Sequence, residues 1–201
     1  MSMKTTERQL LALGRKKLFR AKDLDSLGIA RVYLKRLVDE EKLWRAGRGL
    51  YRAADSPIEA HQSLAEVASR YPKGIVCLLS ALRFHELTTE NPSEVYLMMP
   101  IHSQCPRMEN QALRVFWTSG KAYSAGVEEH IIGGVPVKIT SPAKTVIDCF
   151  KFRRKIGVNV AVEALQEAWR RKRVTANDLS TNATICRMSR VMRPYFEMLV
   201  A

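Results

Sequence analysis

One stretch, residues 19–52, constrains the fold of this chain more than any other. It reads FRAKDLDSLGIARVYLKRLVDEEKLWRAGRGLYR, with two helix-like segments on either side of Gly28. Glycine allows the positive φ or close backbone approach that a tight turn between two helices needs. Two short segments of alternating apolar and polar residues then flank a Gly-Arg-Gly tip, which is the pattern of a hairpin. The stretch therefore predicts a helix-turn-helix followed by a two-stranded wing.

The second helix of this motif, predicted over residues 30–41, has two contrasting faces at 100° per residue. The inner arc holds Ala30, Tyr33, Leu34, Leu37 and Val38, and the outer arc holds Arg31, Val32, Lys35, Arg36 and Asp39. A helix before the motif, over residues 7–16, and a short strand at Phe19 and Arg20 are expected to pack behind it and beside the wing. A compact module over residues 1–53 follows.

The outer arc has the types of side chain that DNA-binding helices use to contact base edges. A helix fits the major groove, where Arg and Lys reach guanine acceptors and Val contacts a thymine methyl group. We predict that four residues of the helix contact base edges: Arg31, Val32, Lys35 and Arg36. Arg45 and Arg48, on the wing, are expected to contact phosphates or the minor groove and to position the module. The alternative is a cationic helix face that meets only solvent.

The charge of the chain favours a polyanionic partner. The net charge is +13, from 33 Lys and Arg against 20 Asp and Glu. Residues 1–53 hold 14 of these cations against 6 anions, a net of +8, so the charge is densest where the motif lies. Such a field attracts nucleic acid, and no separate basic amphipathic segment suggests a membrane surface.

Other classes of protein lack their signatures here. Cys77, Cys105, Cys149 and Cys186 lie far apart, without a C-x-x-C pair, so we expect no structural zinc or other metal and no cofactor. No signal peptide and no apolar run of 18 residues is present, and we expect a cytoplasmic protein. Walker, G-x-S-x-G, G-x-G-x-x-G and H-E-x-x-H motifs are missing, which argues against an enzyme. A nuclease would have only Glu94, Glu128, Glu129 and Asp148 to hold its metal.

The remaining residues predict a second, mixed domain over residues 58–201. A small, polar linker, residues 53–57, precedes a helix over residues 58–71, and helices are also expected over 80–87, 158–172 and 184–200. Strand-like segments cover residues 94–99, 114–118, 127–132 and 135–140, and the Gly133-Gly134 pair between the last two is a hairpin signal. The predicted class is α+β, with a winged helix-turn-helix followed by a small, mostly antiparallel sheet and C-terminal helices.

A helix over residues 142–153 is predicted to start at a Ser-Pro pair, with Ser141 as its cap. Val146, Ile147, Cys149 and Phe150 form its buried side. Lys144, Asp148 and Lys151 fall together on what we expect to be the outer side. Lys144 and Asp148, four residues apart, have the spacing of an ordinary surface ion pair, which contributes about 0.2 to 0.5 kcal/mol.

Three pieces of the sequence resemble the AbiEi-type antitoxins of bacterial type IV toxin-antitoxin systems. They are GIARVYLKRLVDEEKLWRAGRGLYR at residues 28–52, LLSALRFHEL at 78–87 and ITSPAKTVIDCFKFRRKIG at 139–157. Together they span nearly the whole chain in the order of the family. The first is shared with many winged-helix proteins, and the Thr-Ser-Pro-x-(Lys/Arg)-Thr-x-x-Asp run of the third is more distinctive.

The resemblance implies a bifunctional protein. Its winged helix would bind inverted repeats in the promoter of its own operon and repress it. Because one module reads only a few base pairs per half-site, we separately expect that strong repression needs two protomers or two copies. Its C-terminal domain would counter a cognate nucleotidyltransferase-like toxin, with or without a stable complex. Seven residues are candidates for the antitoxic role: Ser141, Lys144, Thr145, Asp148, Lys151, Arg153 and Arg154. The alternative is a stand-alone winged-helix repressor whose C-terminal domain dimerises or senses a ligand.

Overall fold

A computed structural model of the protein describes residues 3–47, 49–56, 61–108 and 111–200. The described chain separates into two compact units. The first comprises Met1–Arg70 together with Ile131–Val137, and the second comprises Tyr71–His130 and Lys138–Ala201. Each unit has its own hydrophobic core, and the α+β class predicted from the sequence is confirmed.

The first unit is a winged helix-turn-helix, as predicted. In chain order it contains α1 (Met3–Lys16), β1 (Phe19–Arg20), a 3-10 helix (Ala21–Leu27), α2 (Val32–Asp39), β2 (Leu43–Gly47), β3 (Leu50–Ala53) and α3 (Gln62–Arg70). The three strands form an antiparallel sheet in the order β1-β3-β2. The expected strand at Phe19 and Arg20 pairs with the wing strand β3.

The two helices of the motif differ in detail from their predicted extent. The first is a 3-10 helix rather than an α-helix. Gly28 follows it with φ 65° and ψ 26°, the left-handed conformation expected of this glycine. The second helix, α2, begins at Val32 rather than residue 30, because Ile29 turns its side chain into the core, where it is buried, and its N–H donates to Leu24 O. It ends at Asp39, and Glu41 at φ 55° reverses the chain.

The core of this unit includes Leu34 and Leu37 from the predicted inner arc, whereas Ala30 of the same arc lies before the helix and is exposed. Its other buried members are Leu10, Phe19, Leu24, Ile29, Leu43 and Ala53. Gly14 allows α1 to lie directly on β3, because a Cβ at this position would come within 2.6 Å of the Ala53 nitrogen. Of the predicted linker, residues 53–56 are described: Ala53 ends β3 and is buried, and Asp55 pairs with Arg15. Residues 57–60, which contain the end of the linker and the expected start of a helix, lie outside the described residues. The helix itself is α3, which begins at Gln62 and ends at Arg70.

The second unit alternates strands and helices. It contains β4 (Ile75–Val76), α4 (Leu78–Phe84), β5 (Val95–Pro100), β6 (Leu113–Thr118), α5 (Lys121–Ser124), β7 (Val127–Ile132), β8 (Val135–Thr140), α6 (Pro142–Lys151), α7 (Arg153–Ile156), α8 (Val158–Arg170), α9 (Ala176–Ile185) and α10 (Ser189–Val200). The tip of the β7–β8 hairpin is the segment that belongs to the first unit. The helix predicted over residues 184–200 is divided between α9 and α10, and Pro194 lies inside α10.

The second sheet has five strands in the order β6-β5-β4-β8-β7. The turn between β7 and β8 is Gly133-Gly134, with φ of 55° and 72°, as the predicted tight hairpin requires. Strands β4 and β5 pair antiparallel. The pairs β4–β8 and β5–β6 are parallel, and the sequence did not predict them. Parallel neighbours come from distant parts of the chain, so local patterns carry no signal for them.

Helix α6 lies at the centre of this unit. It packs against α4, α8 and α9, and every residue from Ala143 to Phe150 is buried. His85, just after α4, is buried and its Nε2 lies 2.7 Å from the Thr140 carbonyl oxygen. Since that carbonyl accepts a hydrogen bond from the ring, His85 connects the end of α4 to the end of β8.

Candidate nucleic-acid interface and the α6 motif

Helix α2 presents the two faces that its sequence predicts. Leu34 and Leu37 are buried in the core of the first unit. Val32, on the other side, is 70% exposed, and Lys35 and Arg36 are exposed beside it. Arg31 occupies the position before the first helical residue rather than the interior of the helix. The outward face of α2, together with Arg31 just before it, therefore combines one apolar side chain with three cations.

Two of these cations are held in ion pairs with neighbouring carboxylates. Arg31 Nη2 lies 2.5 Å from an oxygen of Asp25, on the 3-10 helix, and Arg36 Nε lies 2.7 Å from an oxygen of Glu40. The hydrogen bond from Arg36 lowers the pKa of Glu40, and a second one from Lys42 lowers it further. All of these groups lie at the surface, where such pairs contribute little to stability and exchange readily. The face can therefore release both guanidinium groups to another anion.

The wing adds a cation and an aromatic side chain. Arg45 is exposed on β2 opposite Tyr51 of β3, next to an irregularity in the register between Arg45 and Gly47. Arg48 at the tip lies outside the described residues. Trp44, which the sequence reasoning did not single out, is 49% exposed, and the guanidinium carbon of Arg52 lies 4.7 Å from the centre of its ring. The alternation of the wing sequence put Trp44 on the same side as Arg52 and could have identified this pair.

The third piece of the sequence, around α6, begins as predicted. Ser141 caps the helix, because its hydroxyl accepts a hydrogen bond from the Lys144 N–H, and Pro142 occupies the first turn. The Thr145 hydroxyl lies 2.8 Å from the Ser141 carbonyl oxygen and 2.7 Å from the Thr140 hydroxyl. The Thr-Ser-Pro part of the motif thus joins the end of β8 to the start of α6 through side-chain hydrogen bonds.

The prediction that Lys144 and Asp148 lie on the outer side of this helix is wrong. Both side chains are 1% exposed, and Lys144 Nζ forms an ion pair with an Asp148 oxygen inside the second unit. The helical projection predicted the wrong side because it assumes one solvent-facing arc, whereas neighbours surround α6. The spacing of four residues is real, but it serves a buried pair.

The surroundings of this pair contain little that can compensate charge. Burial raises the pKa of Asp148, an effect that the nearby Lys144 only partly offsets. The Cys186 thiol lies 3.7 Å from the second carboxylate oxygen. Gly126, at φ 62°, lies against the aliphatic part of Lys144, and a Cβ there would come within 2.8 Å of the Lys144 Cβ. The pair is enclosed on the side of Gly126 by backbone.

The seven candidate antitoxic residues therefore differ in position. Lys144, Thr145 and Asp148 lie in the interior, where no macromolecule can contact them. Ser141, Lys151 and Arg153 are half-buried, and Arg153 Nη1 donates to the Phe150 carbonyl at 2.7 Å. Arg154 is exposed. The structure brings these residues together along α6 and α7, but only the second group and Arg154 reach the surface.

Neither a metal-binding cluster nor a membrane-spanning helix is found among the described residues. No group of three or more His, Cys, Asp or Glu side chains is arranged to hold a metal ion there. The described helices also include none that is both long and apolar enough to cross a bilayer.

Comparison with known proteins confirms the resemblance for the winged helix. The model of a family described as "Transcriptional regulator, AbiEi antitoxin" matches residues 8–54. No curated protein matches the sequence significantly. Among solved structures, the crystal structure of the RV2827C protein from Mycobacterium tuberculosis matches with a TM-score of 0.64 and 12% identity. That match covers 90% of this chain and 70% of the other, and at this identity it shows that the two share a fold.

Proposed function

We propose that this protein is a DNA-binding antitoxin that represses its own operon. Residues 1–53 bind inverted repeats in the promoter, and the C-terminal domain, residues 58–201, counters a cognate nucleotidyltransferase-like toxin. One observation carries the proposal: residues 8–54, which match the antitoxin regulator family, fold into a winged helix whose outward face is cationic. The protein is not expected to be an enzyme.

The geometry of α2 suggests how DNA is contacted. The helix enters the major groove with Val32 and Lys35 facing base edges, and Arg31 and Arg36 exchange their carboxylate partners for bases or phosphates. Each exchange replaces one charge-assisted hydrogen bond with another, so its cost is small. Arg45 and Arg48 contact the backbone from the wing and set the register.

The candidate antitoxic residues around α6 fall into two groups, one buried and one accessible, and we assign a different role to each. Lys144, Thr145 and Asp148 maintain the helix and its connection to β8. Ser141, Lys151, Arg153 and Arg154 lie where a toxin or its substrate can reach them. Arg154 is the most exposed of the four and is therefore the first residue to substitute.

DNA binding is tested by fluorescence anisotropy with the chain's own promoter and with a scrambled duplex. Arg31→Ala and Arg36→Ala should each lose about 1 to 3 kcal/mol of binding to the promoter and little to the scrambled duplex. Arg48→Ala should weaken both comparably. Arg70→Ala, which removes an exposed charge at the end of α3, is the matched control. Parental discrimination in Arg31→Ala and Arg36→Ala would show that the wrong face has been assigned.

The antitoxic role is tested by growth rescue. The gene adjacent to this one is expressed alone, then with the full chain, and then with a full-length Arg31→Ala/Arg36→Ala variant. Full-length variants are preferred to a cut after residue 53, because residues 62–70 and 131–137 pack with the winged helix. Rescue by both forms would support an antitoxin whose DNA binding is separable. Toxicity without rescue by either form would leave the stand-alone repressor.

A further inference from the structure

A small, partly open pocket of about 40 Å³ lies in the first unit, and no residue of the outward face of α2 lines it. The last turn of α1, the end of β3 and the first turn of α3 surround it. Four cations line it: Arg15, Lys16, Lys17 and Arg52. The function proposed above does not use these side chains.

The charge in this pocket is only partly compensated. Arg15 is paired with Asp55 at 2.5 Å, and the half-buried Glu66 faces Arg52. Burial raises the pKa of Glu66, so its negative charge is disfavoured there. Lys16 and Lys17 are exposed and have no ion pair with any residue in the described ranges. Among the described residues, four cations against Asp55 and Glu66 leave two positive charges in excess.

Arg52 has hydrogen-bonding capacity that the protein leaves unused. Its Nε is buried and has no hydrogen-bond partner in the described part of the chain. Its Nη1 reaches only the Ser56 carbonyl, at the long distance of 3.4 Å. An unsatisfied buried donor is costly, and a guanidinium offers a planar fork that matches phosphate. The contact with Trp44 holds that plane in place.

Two helix ends with opposite effects meet at the pocket: the C-terminus of α1, whose dipole favours cations, and the N-terminus of α3, whose dipole favours anions. Carbonyl groups at the end of α1 are already engaged, since the Ser56 hydroxyl donates to Gly14 O and the Lys17 N–H donates to Leu13 O. Gln62, the first residue of α3, lies on the pocket wall and brings a helix N-terminus to it. Amide groups and the dipole at a helix N-terminus favour a negative ligand.

We infer that this pocket binds a phosphate group, with Arg52 as its main donor and Lys16 and Lys17 as supporting charges. The phosphate belongs either to a small phosphorylated molecule such as a nucleotide, of which only the phosphate enters the pocket, or to the backbone of bound DNA. The site does not depend on the proposed function, because a free phosphate can be tested without an operator or a toxin.

Trp44 provides the signal for the test. Its emission, excited at the red edge of the indole band, is followed while inorganic phosphate and then adenosine monophosphate replace chloride at constant ionic strength. The full chain should show a saturable change that Trp44→Phe removes although Trp117 and Trp169 remain. Arg52→Gln should weaken binding about tenfold or more, as for the loss of a charge-assisted hydrogen bond. Arg70→Gln should bind as the parent does.

A second variant guards against misfolding of Arg52→Gln. Lys16→Gln/Lys17→Gln changes two exposed side chains and should also weaken phosphate binding several-fold while the circular dichroism spectrum is retained. A change that never saturates, or parental affinity in both variants, would overturn the site.

A duplex DNA then identifies the source of the phosphate. Competition between saturating DNA and inorganic phosphate would place a backbone phosphate in the pocket, and simultaneous binding would identify a small-molecule site. A chain that binds phosphate but no DNA would contradict the proposed function and leave the pocket assigned to a small molecule.

Discussion

Two helices of this protein contain a cation and a carboxylate four residues apart, and the two pairs have opposite environments. Arg36 and Glu40, at the end of α2, have side chains that are 44% and 32% exposed. Lys144 and Asp148, within α6, are each 1% exposed. Hydrogen bonds lower the pKa of Glu40, whereas burial raises the pKa of Asp148. The spacing of four residues alone therefore does not tell whether an ion pair is buried, and important for stability, or exposed, and of little consequence for it.

The neighbours of each helix explain the contrast. Helix α2 packs on one side only, and its polar residues cluster on the other. Helix α6 carries Ala143, Val146, Ile147, Cys149 and Phe150 around most of its circumference, and three helices cover it. A helix that is apolar nearly all round belongs in a core. The exposed pair on α2 can therefore be reached by a ligand. The buried pair on α6 is part of the interior of the second unit.

The largest loss of stability is expected when one partner of the buried pair is removed. Lys144→Met or Asp148→Leu alone should lower the free energy of unfolding by about 3 to 5 kcal/mol, because each leaves an uncompensated buried group. Lys144→Met/Asp148→Leu together should recover most of the loss. Urea denaturation of the full chain measures all three. Single variants within experimental error of the parent would show that the pair is not buried in solution.

A second variant tests the enclosure of Lys144. Gly126→Ala should cost about 2 to 4 kcal/mol, because the new methyl group meets the Lys144 side chain and φ is positive. Gly28→Ala is the control, since Gly28 has φ 65° in the left-handed region but nothing within 4 Å of an added Cβ. It should cost about 1 kcal/mol, from backbone strain alone. Equal costs would mean that Gly126 serves only its backbone conformation.

The buried His85 tests whether the interior of the second unit also disfavours a positive charge. Burial lowers the pKa of His85, so the unfolded chain binds more protons between the two pKa values. The stabilising contribution is present above the ordinary histidine pKa of about 6.5 and is lost as pH falls through the lower folded value. Thermal unfolding from pH 7.5 to 5 should show this loss in the parent and a flatter profile in His85→Gln. A parental profile in the variant would assign the pH dependence elsewhere.

The smallest effect on stability is expected at the exposed pair. Glu40→Gln should leave the denaturation midpoint unchanged, because a surface ion pair contributes little. On the proposed function it should strengthen DNA binding, since Arg36 no longer has this carboxylate as a partner. Glu41→Gln makes the same charge change one residue later and is the control in anisotropy titrations. Equal gains in both variants would indicate a general charge effect, not the release of Arg36.

Local features of the fold were largely predictable from the sequence. The Gly133-Gly134 pair predicted the turn of its hairpin, and Ser141-Pro142 predicted the start of α6. The helical projection of α2 correctly placed Val32 on the exposed side and Leu34 and Leu37 on the buried side. These signals depend on residues within one or two turns. The domain boundaries at residues 53 and 58 and the roles of individual site residues remain predictions.

Features that depend on distant residues were not predictable. The burial of Lys144 and Asp148 requires α4, α8 and α9 to surround α6, and the parallel pair β4–β8 joins Val76 to the distant Ile139. Strands β5 and β6 follow one another in the chain, but local patterns do not show that they pair in parallel. The anion pocket likewise collects residues from α1, β3 and α3. Each is a property of packing, and a single sequence contains no local trace of it.

The carboxylates on the recognition surface have a further consequence for binding in salt. Asp25 and Glu40 lie beside Arg31 and Arg36, so each pair brings less net positive charge to the phosphates than an unpaired arginine would and displaces fewer of the cations condensed on DNA. Fewer mobile ions are then released on association, and the logarithm of the affinity should fall less steeply with the logarithm of salt concentration than a count of the basic residues implies. The affinity of such a surface for DNA therefore decreases less with rising ionic strength than its number of basic residues would suggest.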